Sequence, residues 1–303
     1  MGGIVDGLLG LSGMFKFLLL ALTFAISCVH AIESTPAEAS RYVLVSVAPY
    51  KFFLNRVAGD TVKVGLLVPP AASSHTYEPT PKQILEASNA DLWFTIGESF
   101  ECRILPALQA RNPSLQAVDL RQGLDLIAAA STNSCSHGCC KGSGGEDLHI
   151  WLSLRQVEIQ IRTIAAALSA RYPENAQVYA RNAEQFVAEL RALDRQISTL
   201  LAPLKQRTVL VSHPAYAYFC RDYNLEQLSI EFEGKDPSPQ QLTKLLQQAK
   251  QKKIKAIFIQ RQYSNKGAKL IATQLGAKLV MLDPYSENYL SAMREIAENF
   301  ANQ

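Results

Sequence analysis

The sequence predicts an α/β protein of two similar lobes, each with a central parallel sheet, joined by one long helix, with a metal site in the cleft between them. Three observations carry this. Short β-branched runs alternate with helical stretches through residues 42–120 and again through 208–300, the pattern of strand–helix–strand units. A long stretch of helical periodicity separates the two blocks. Finally, His75, His149, His213 and Asp283 each stand at a strand end or an element junction, where α/β domains bind ligands.

In the first block, Tyr42–Val47 reads as a buried strand that Pro49 ends, and Tyr50–Val57 fits a helix closed by Gly59-Asp60. Thr61–Val68 is the next strand. It runs into Pro69-Pro70-Ala71-Ala72-Ser73-Ser74-His75, a loop stiffened by prolines. Thr80 or Pro81 opens a helix to about Ser88. Asp91–Gly97 is a third strand, with Glu98 after it. A helix around Ile104–Leu108 and a short strand at Leu115–Leu120 complete the block. Asp119 and Asp125 read as turn and cap residues.

Ser131–Glu146 has no apolar period and holds Cys135, His137, Cys139 and Cys140. Three readings stand: a Cys135–Cys139 or Cys135–Cys140 disulfide, capture of a soft metal by thiolates and imidazole, or no role at all. Asp147-Leu148-His149-Ile150-Trp151-Leu152-Ser153 follows, and Ser153 can cap a helix starting near Leu154. Tyr172-Pro173 breaks that helix and Pro173 can open the next. The second helix runs to about Leu201, with an apolar stripe from Val178 to Leu200. At 1.5 Å per residue it spans roughly 40 Å, long enough to serve as a strut.

The second block repeats the first. Thr208–Ser212 is a strand ending at His213-Pro214, and Tyr216–Phe219 is helical. Leu225–Ile230 is a strand leading into the polar loop 231–239, and Ser238-Pro239 opens a helix to about Lys252. Lys255–Ile259 is a strand with Gln260 at its end. A helix over Asn265–Leu275 stops at Gly276, Lys278–Leu282 is the last strand with Asp283-Pro284 after it, and Tyr289–Phe300 is the terminal helix.

The expected segments are a signal peptide over 1–31, an N-terminal lobe over 42–172, a linking helix over 173–203 and a C-terminal lobe over 207–303. The leader reading rests on Lys16, the ten-residue apolar run Phe17–Ile26 and the small residues of Val29-His30-Ala31, a run too short to span a bilayer comfortably. Met14 is an alternative start. Ala25-Ile26-Ser27-Cys28 is an imperfect lipobox, so Cys28 is a candidate lipid anchor. Either route puts the mature protein outside the cytoplasm, in the periplasm, where disulfides are permitted. Cleavage after Ala31 leaves Cys102, Cys135, Cys139, Cys140 and Cys220, an odd number, so at least one is not in an intramolecular disulfide.

Composition narrows the function. A 48% hydrophobic and 19% charged chain has an ordinary globular core. A net charge of +3 and the lack of a basic run exclude a nucleic-acid surface. Three imidazoles and one carboxylate, His75, His149, His213 and Asp283, suit a divalent transition metal. Imidazole is mostly unprotonated at neutral pH, so binding costs little deprotonation. Against a hydrolase, there is no His-Glu-x-x-His pair, no Gly-x-Ser-x-Gly elbow and no Gly-rich phosphate loop. Glu78, Glu98, Glu231 and Glu233 are general bases by residue type alone. Four protein ligands favour holding a metal over using it.

At these residues the sequence resembles the solute-binding proteins of bacterial ABC transporters for zinc, manganese and iron. The matching stretches are Val68-Pro69-Pro70 through His75-Thr76-Tyr77-Glu78-Pro79-Thr80, His149–Ser153, Val211-Ser212-His213 with Tyr216 and Tyr218-Phe219, and Leu282-Asp283-Pro284. Tyr172-Pro173-Glu174-Asn175 and Pro237-Ser238-Pro239 add to them. The resemblance implies one divalent ion (Zn2+, Mn2+ or Fe2+) held by His75, His149, His213 and Asp283, delivered to a membrane permease by a monomeric, non-enzymatic carrier. Gln260 stands where many relatives have Glu, and Leu154 where Pro is usual. The Cys-rich loop occupies the place of a His-rich loop in several zinc binders. The rival reading is a secreted adhesin or binding module that holds metal only for stability.

Overall fold

A computed structural model describes residues 41–129, 145–231 and 237–303. Eight four-residue strands build two parallel sheets. The first contains β1 (Tyr42–Val45), β2 (Lys63–Leu66), β3 (Leu92–Thr95) and β4 (Gln116–Asp119) in the order β2-β1-β3-β4. The second contains β5 (Thr208–Val211), β6 (Glu226–Ser229), β7 (Ala256–Ile259) and β8 (Lys278–Met281) in the order β6-β5-β7-β8. The two orders are the same permutation, so the repeat expected from the sequence extends to topology. In each sheet the chain steps from one edge back past its first strand, and such a switch point opens a crevice at the carboxyl ends.

Helix α1 (Ala48–Ala58) begins two residues earlier than the apolar pattern suggests. Pro49 does not merely end the strand; it lies in the first helical turn, where its missing N–H goes unused. Helix α2 (Pro81–Ala87) opens with a full capping box from Thr80 and Gln83. Helix α3 (Ser99–Arg111) follows β3 through Gly97, whose φ of +96° places its missing Cβ within 2.5 Å of the Arg121 guanidinium. Arg121 in turn pairs with Asp119, which accepts from the Arg121 backbone N–H, as expected of a turn residue.

Helix α4 (Leu154–Arg171) is capped by Ser153, whose Oγ accepts from Gln156 N. The linking helix α5 spans Ala176–Leu201, 26 residues, about 39 Å long. It starts three residues later than Pro173. Pro173–Asn175 forms a separate 3-10 turn between α4 and α5, and Asn175 (φ −105°, ψ 6°) interrupts the helical ladder. The buried stripe Tyr179, Ala183, Phe186, Val187, Leu190, Leu193, Ile197 and Leu201 packs on α1 and α4 of the first lobe and on the terminal helix α9 (Tyr289–Ala301) after the second. The remaining helices are α6 (Ala217–Asp222), α7 (Pro239–Gln251), with a Ser238–Gln241 capping box, and α8 (Lys266–Leu275), stopped by Gly276 at φ +65°.

One hydrophobic core runs through both lobes and the strut, and a smaller one underlies α7 and α8. Trp151 is the pin between the lobes. Fully buried, it contacts Tyr50 and Tyr285, donates from Nε1 to Pro284 O (2.8 Å), and offers its own carbonyl to Tyr289 Oη (2.6 Å). Tyr218 Oη adds a second tie, donating to Asp147 O at 2.7 Å. A close-packed, hydrogen-bonded joint of this kind resists wide hinge motion. Among the described residues no helix is long and apolar enough to cross a membrane. Cys102 is disulfide-bonded and Cys220 is a buried free thiol whose pKa burial raises. The leader, Cys28 and the Cys135–Cys140 loop lie outside the described residues.

Candidate metal centre

Two loops and a junction bring the site together. His75 sits in a 3-10 turn, Ser74–Thr76, in the proline-stiffened loop after β2. His149 precedes the 3-10 turn Ile150–Leu152 that feeds α4. His213 follows β5. The three rings form a near-equilateral triangle, with centroids 5.1 Å (His75–His149), 5.2 Å (His149–His213) and 5.4 Å (His75–His213) apart. One ligating nitrogen from each lies within 4.8 Å of the others. A tetrahedral ion with bonds of about 2.0–2.1 Å needs its ligands roughly 3.4 Å apart, so side-chain adjustment of about an ångström closes the cage.

Each imidazole is oriented by its own carboxylate. His75 Nδ1 meets Glu98 Oε2 at 3.2 Å, His149 Nδ1 meets Asp147 Oδ1 at 2.8 Å, and His213 Nδ1 meets Glu231 Oε2 at 2.6 Å. A carboxylate on Nδ1 holds the proton there and leaves the Nε2 lone pair free for a cation. His213 Nε2 is buried with no hydrogen-bond partner among the described residues. Among the described residues His149 Nε2 meets only Tyr285 Oη, at 3.5 Å. Buried polar atoms normally find partners, so the orphaned His213 Nε2 points to a ligand. Tyr263 stacks on the His213 ring at 3.7 Å and 10°, and Trp151 lies 5.3 Å from His149.

The electrostatics suit a cation. Burial and then the neighbouring His149 and His75 rings hold His213 well below the usual imidazole pKa, so it stays a neutral donor. Burial opposes protonation of His75 too, but the charge and hydrogen bond of Glu98 outweigh it and raise the pKa. Glu98 is buried, which works against its charge, yet its contacts with His75 and Ser74 lower its pKa overall. Below it, burial pushes Glu101 up to about 8, partly offset by bonds from Ser46, Ile96 N and Gly97 N. A cavity of about 280 Å3 lined by His75, Glu231, Gln262 and Tyr263 opens beside the triangle.

Asp283 lies outside the three-histidine group. Its Oδ1 accepts from Gln262 Nε2 (3.0 Å) and Tyr285 N (3.2 Å), and Arg261 Nε stands 3.8 Å from Oδ2. Glu98 and Glu231, bases by residue type alone in the sequence, are histidine-orienting groups here. Asp147 joins them, a role that sequence reasoning misses. The available signals are the Asp147-x-His149 spacing and the acids just beyond β3 and β6. Gln260 is fully buried at the end of β7, and neither its amide atoms nor the Tyr216 hydroxyl has a hydrogen-bond partner among the described residues. Leu154 fills the first position of α4, buried.

Two parallel-sheet lobes locked to a stiff helix around a cage of imidazoles define an extracytoplasmic solute-binding protein for a divalent metal ion. The chain belongs to the family described as zinc-uptake complex component A, periplasmic, whose model matches residues 43–303. A Chlamydia muridarum protein provisionally named as metal-binding is 35% identical over 95% of this chain and 100% of its own length. The high-affinity zinc uptake system protein ZnuA of Bacillus subtilis is 27% identical over 90% of this chain and 88% of its own. A crystal structure of a ZnuA superposes with a TM-score of 0.80 at 36% identity, covering 87% of this chain and 98% of that one. The protein is therefore a carrier that serves the membrane permease of an ABC transporter, and not an enzyme.

Proposed function

We propose that this chain captures a single zinc ion through His75, His149, His213 and Asp283 and yields it to its permease. The observation that carries the reading is the triangle of imidazoles, each with a carboxylate on Nδ1 and a nitrogen turned inward. Three nitrogen donors favour zinc over manganese or ferrous iron by the usual affinity order, and the zinc named for the Bacillus subtilis relative supports the same choice. Asp283 supplies the charge that three neutral imidazoles lack. The functional segments in this reading are the N-terminal lobe 42–172, the linking helix 173–203 and the C-terminal lobe 207–303. Elemental analysis after native purification, with competition titrations of the apo protein against zinc, manganese and ferrous iron, tests it. About one zinc per chain is expected, largely lost in His149→Ala. Unchanged stoichiometry in that variant refutes the site, and tighter competition by manganese or iron refutes the choice of ion.

A further inference from the structure

The loop between β7 and α8 touches the metal centre in two places, and neither contact belongs to the triangle itself. Gln262 Nε2 donates to Asp283 Oδ1 at 3.0 Å and also to Pro70 O, across the cleft in the His75 loop, at 3.0 Å. Arg261 Nε faces the other carboxylate oxygen of Asp283 at 3.8 Å. With Tyr285 N also on Oδ1, the carboxylate is engaged on both oxygens, and it lies outside the group formed by the three histidines.

We propose that Arg261 and Gln262 are affinity-setting residues that withhold Asp283 from the ion, so that the carrier binds through three histidines readily and through four ligands only at a cost. The inference rests on the reading of Asp283 as the fourth ligand. Hydrogen bonds to an ionised carboxylate are the strong ones, and a bonded lone pair is a weaker donor to a metal. A guanidinium beside the carboxylate also cancels the charge that would attract the ion. Arg261 is largely exposed, so screening trims its share, whereas the Gln262 bond must be broken or shared outright. Gln262 spans from the second lobe to the Pro70 carbonyl, so a carboxylate leaving for the ion also loosens a cross-cleft tie. A carrier that must surrender its cargo gains from a fourth ligand that is held back: capture stays adequate and release stays fast.

The test compares zinc affinity and zinc dissociation into excess chelator for the full chain, Gln262→Ala, Arg261→Gln with Gln262→Ala, and each of these with Asp283→Asn. Thermal melting of the apo forms serves as the folding control. Gln262→Ala changes no charge and is expected to tighten binding roughly threefold, and the double variant roughly tenfold, with dissociation slowed to match. Asp283→Asn is expected to abolish both gains. A double variant that holds zinc no more tightly than the parent overturns the proposal. So does a gain that persists in full with Asn at 283, since the loop would then act on the ion without Asp283. If Asp283→Asn is silent in every background while His149→Ala still loses the ion, what fails is the assignment of Asp283 as a ligand, and the proposal falls with it.

Discussion

Removing the charge behind one imidazole isolates what the orienting carboxylates contribute. In Glu231→Gln the amide oxygen can still accept from His213 Nδ1, so the tautomer and ring position survive while the negative charge is lost. The contact is short, 2.6 Å, and both residues are well buried, with 5% and 17% of their side chains exposed. An ion on Nε2 would stand roughly 6 Å from that carboxylate, given metal–nitrogen bonds of about 2 Å. Coulomb's law for a doubly charged ion, with an effective dielectric of about 20–80, gives ~1.4–5.5 kcal/mol, or roughly a 10- to 10,000-fold loss of affinity, whose lower end matches the roughly 10–100-fold cost of losing such outer groups in other metal sites. The measurement is a competition titration of apo protein and variant against a chromogenic zinc chelator near neutral pH, with stoichiometry by elemental analysis. Stoichiometry is expected to stay at about one. An affinity indistinguishable from the parent's would refute the electrostatic role. A collapse of the apo melting temperature would show instead that Glu231 holds the fold.

Three further outcomes follow from the same geometry. Because the charge and hydrogen bond of Glu98 outweigh burial and raise the pKa of His75 above its ordinary value, while His213 stays neutral, zinc binding should release the protons that His75 carries, and affinity should fall as pH drops through the His75 pKa; calorimetry in buffers of different ionisation enthalpy that detects no proton release as the pH is lowered would contradict this. Glu101, pushed up from 4.5 to about 8, binds its proton more tightly folded than unfolded, so its stabilisation is complete below about 4.5 and lost as pH rises through about 8. Melting temperature should therefore decline as pH rises from about 6 to about 9, and Glu101→Gln should flatten that slope; an equal slope in the variant removes Glu101 as its source. Trp151→Ala empties the pin between the lobes and should cost about 3–5 kcal/mol of stability, with weaker zinc binding through the loosened His149; a denaturant titration showing less than about 1 kcal/mol would mean the joint is not held there.

Most of the fold is legible in the sequence because local rules agree with one another. The period-2 and period-3.6 stretches, the Ser153, Thr80 and Ser238 caps and the Gly276 stop place most elements within a few residues. Prolines are where the reading slips. Pro49 and Pro173 are each compatible with the end of one element or the start of the next, and only the packing of α4 against α5 chooses a turn at 173–175. The histidines stand out because there are few of them and three, His75, His149 and His213, sit at a strand end or junction.

The residues alone determine two α/β lobes, a stiff connector and three imidazoles at strand ends or junctions, since these follow from periodicity and chain order. Tertiary structure decides which acid serves which histidine. Glu98, Asp147 and Glu231 are ordinary surface-type residues in the sequence, and contacts such as His75–Glu98 join positions 23 residues apart through the sheet. It also decides that Asp283 rests on Arg261, Gln262 and the Tyr285 N–H, apart from the three rings. Sequence spacing specifies where a side chain leaves the backbone; which partner it meets depends on how two lobes dock, and that is set by the buried joint around Trp151.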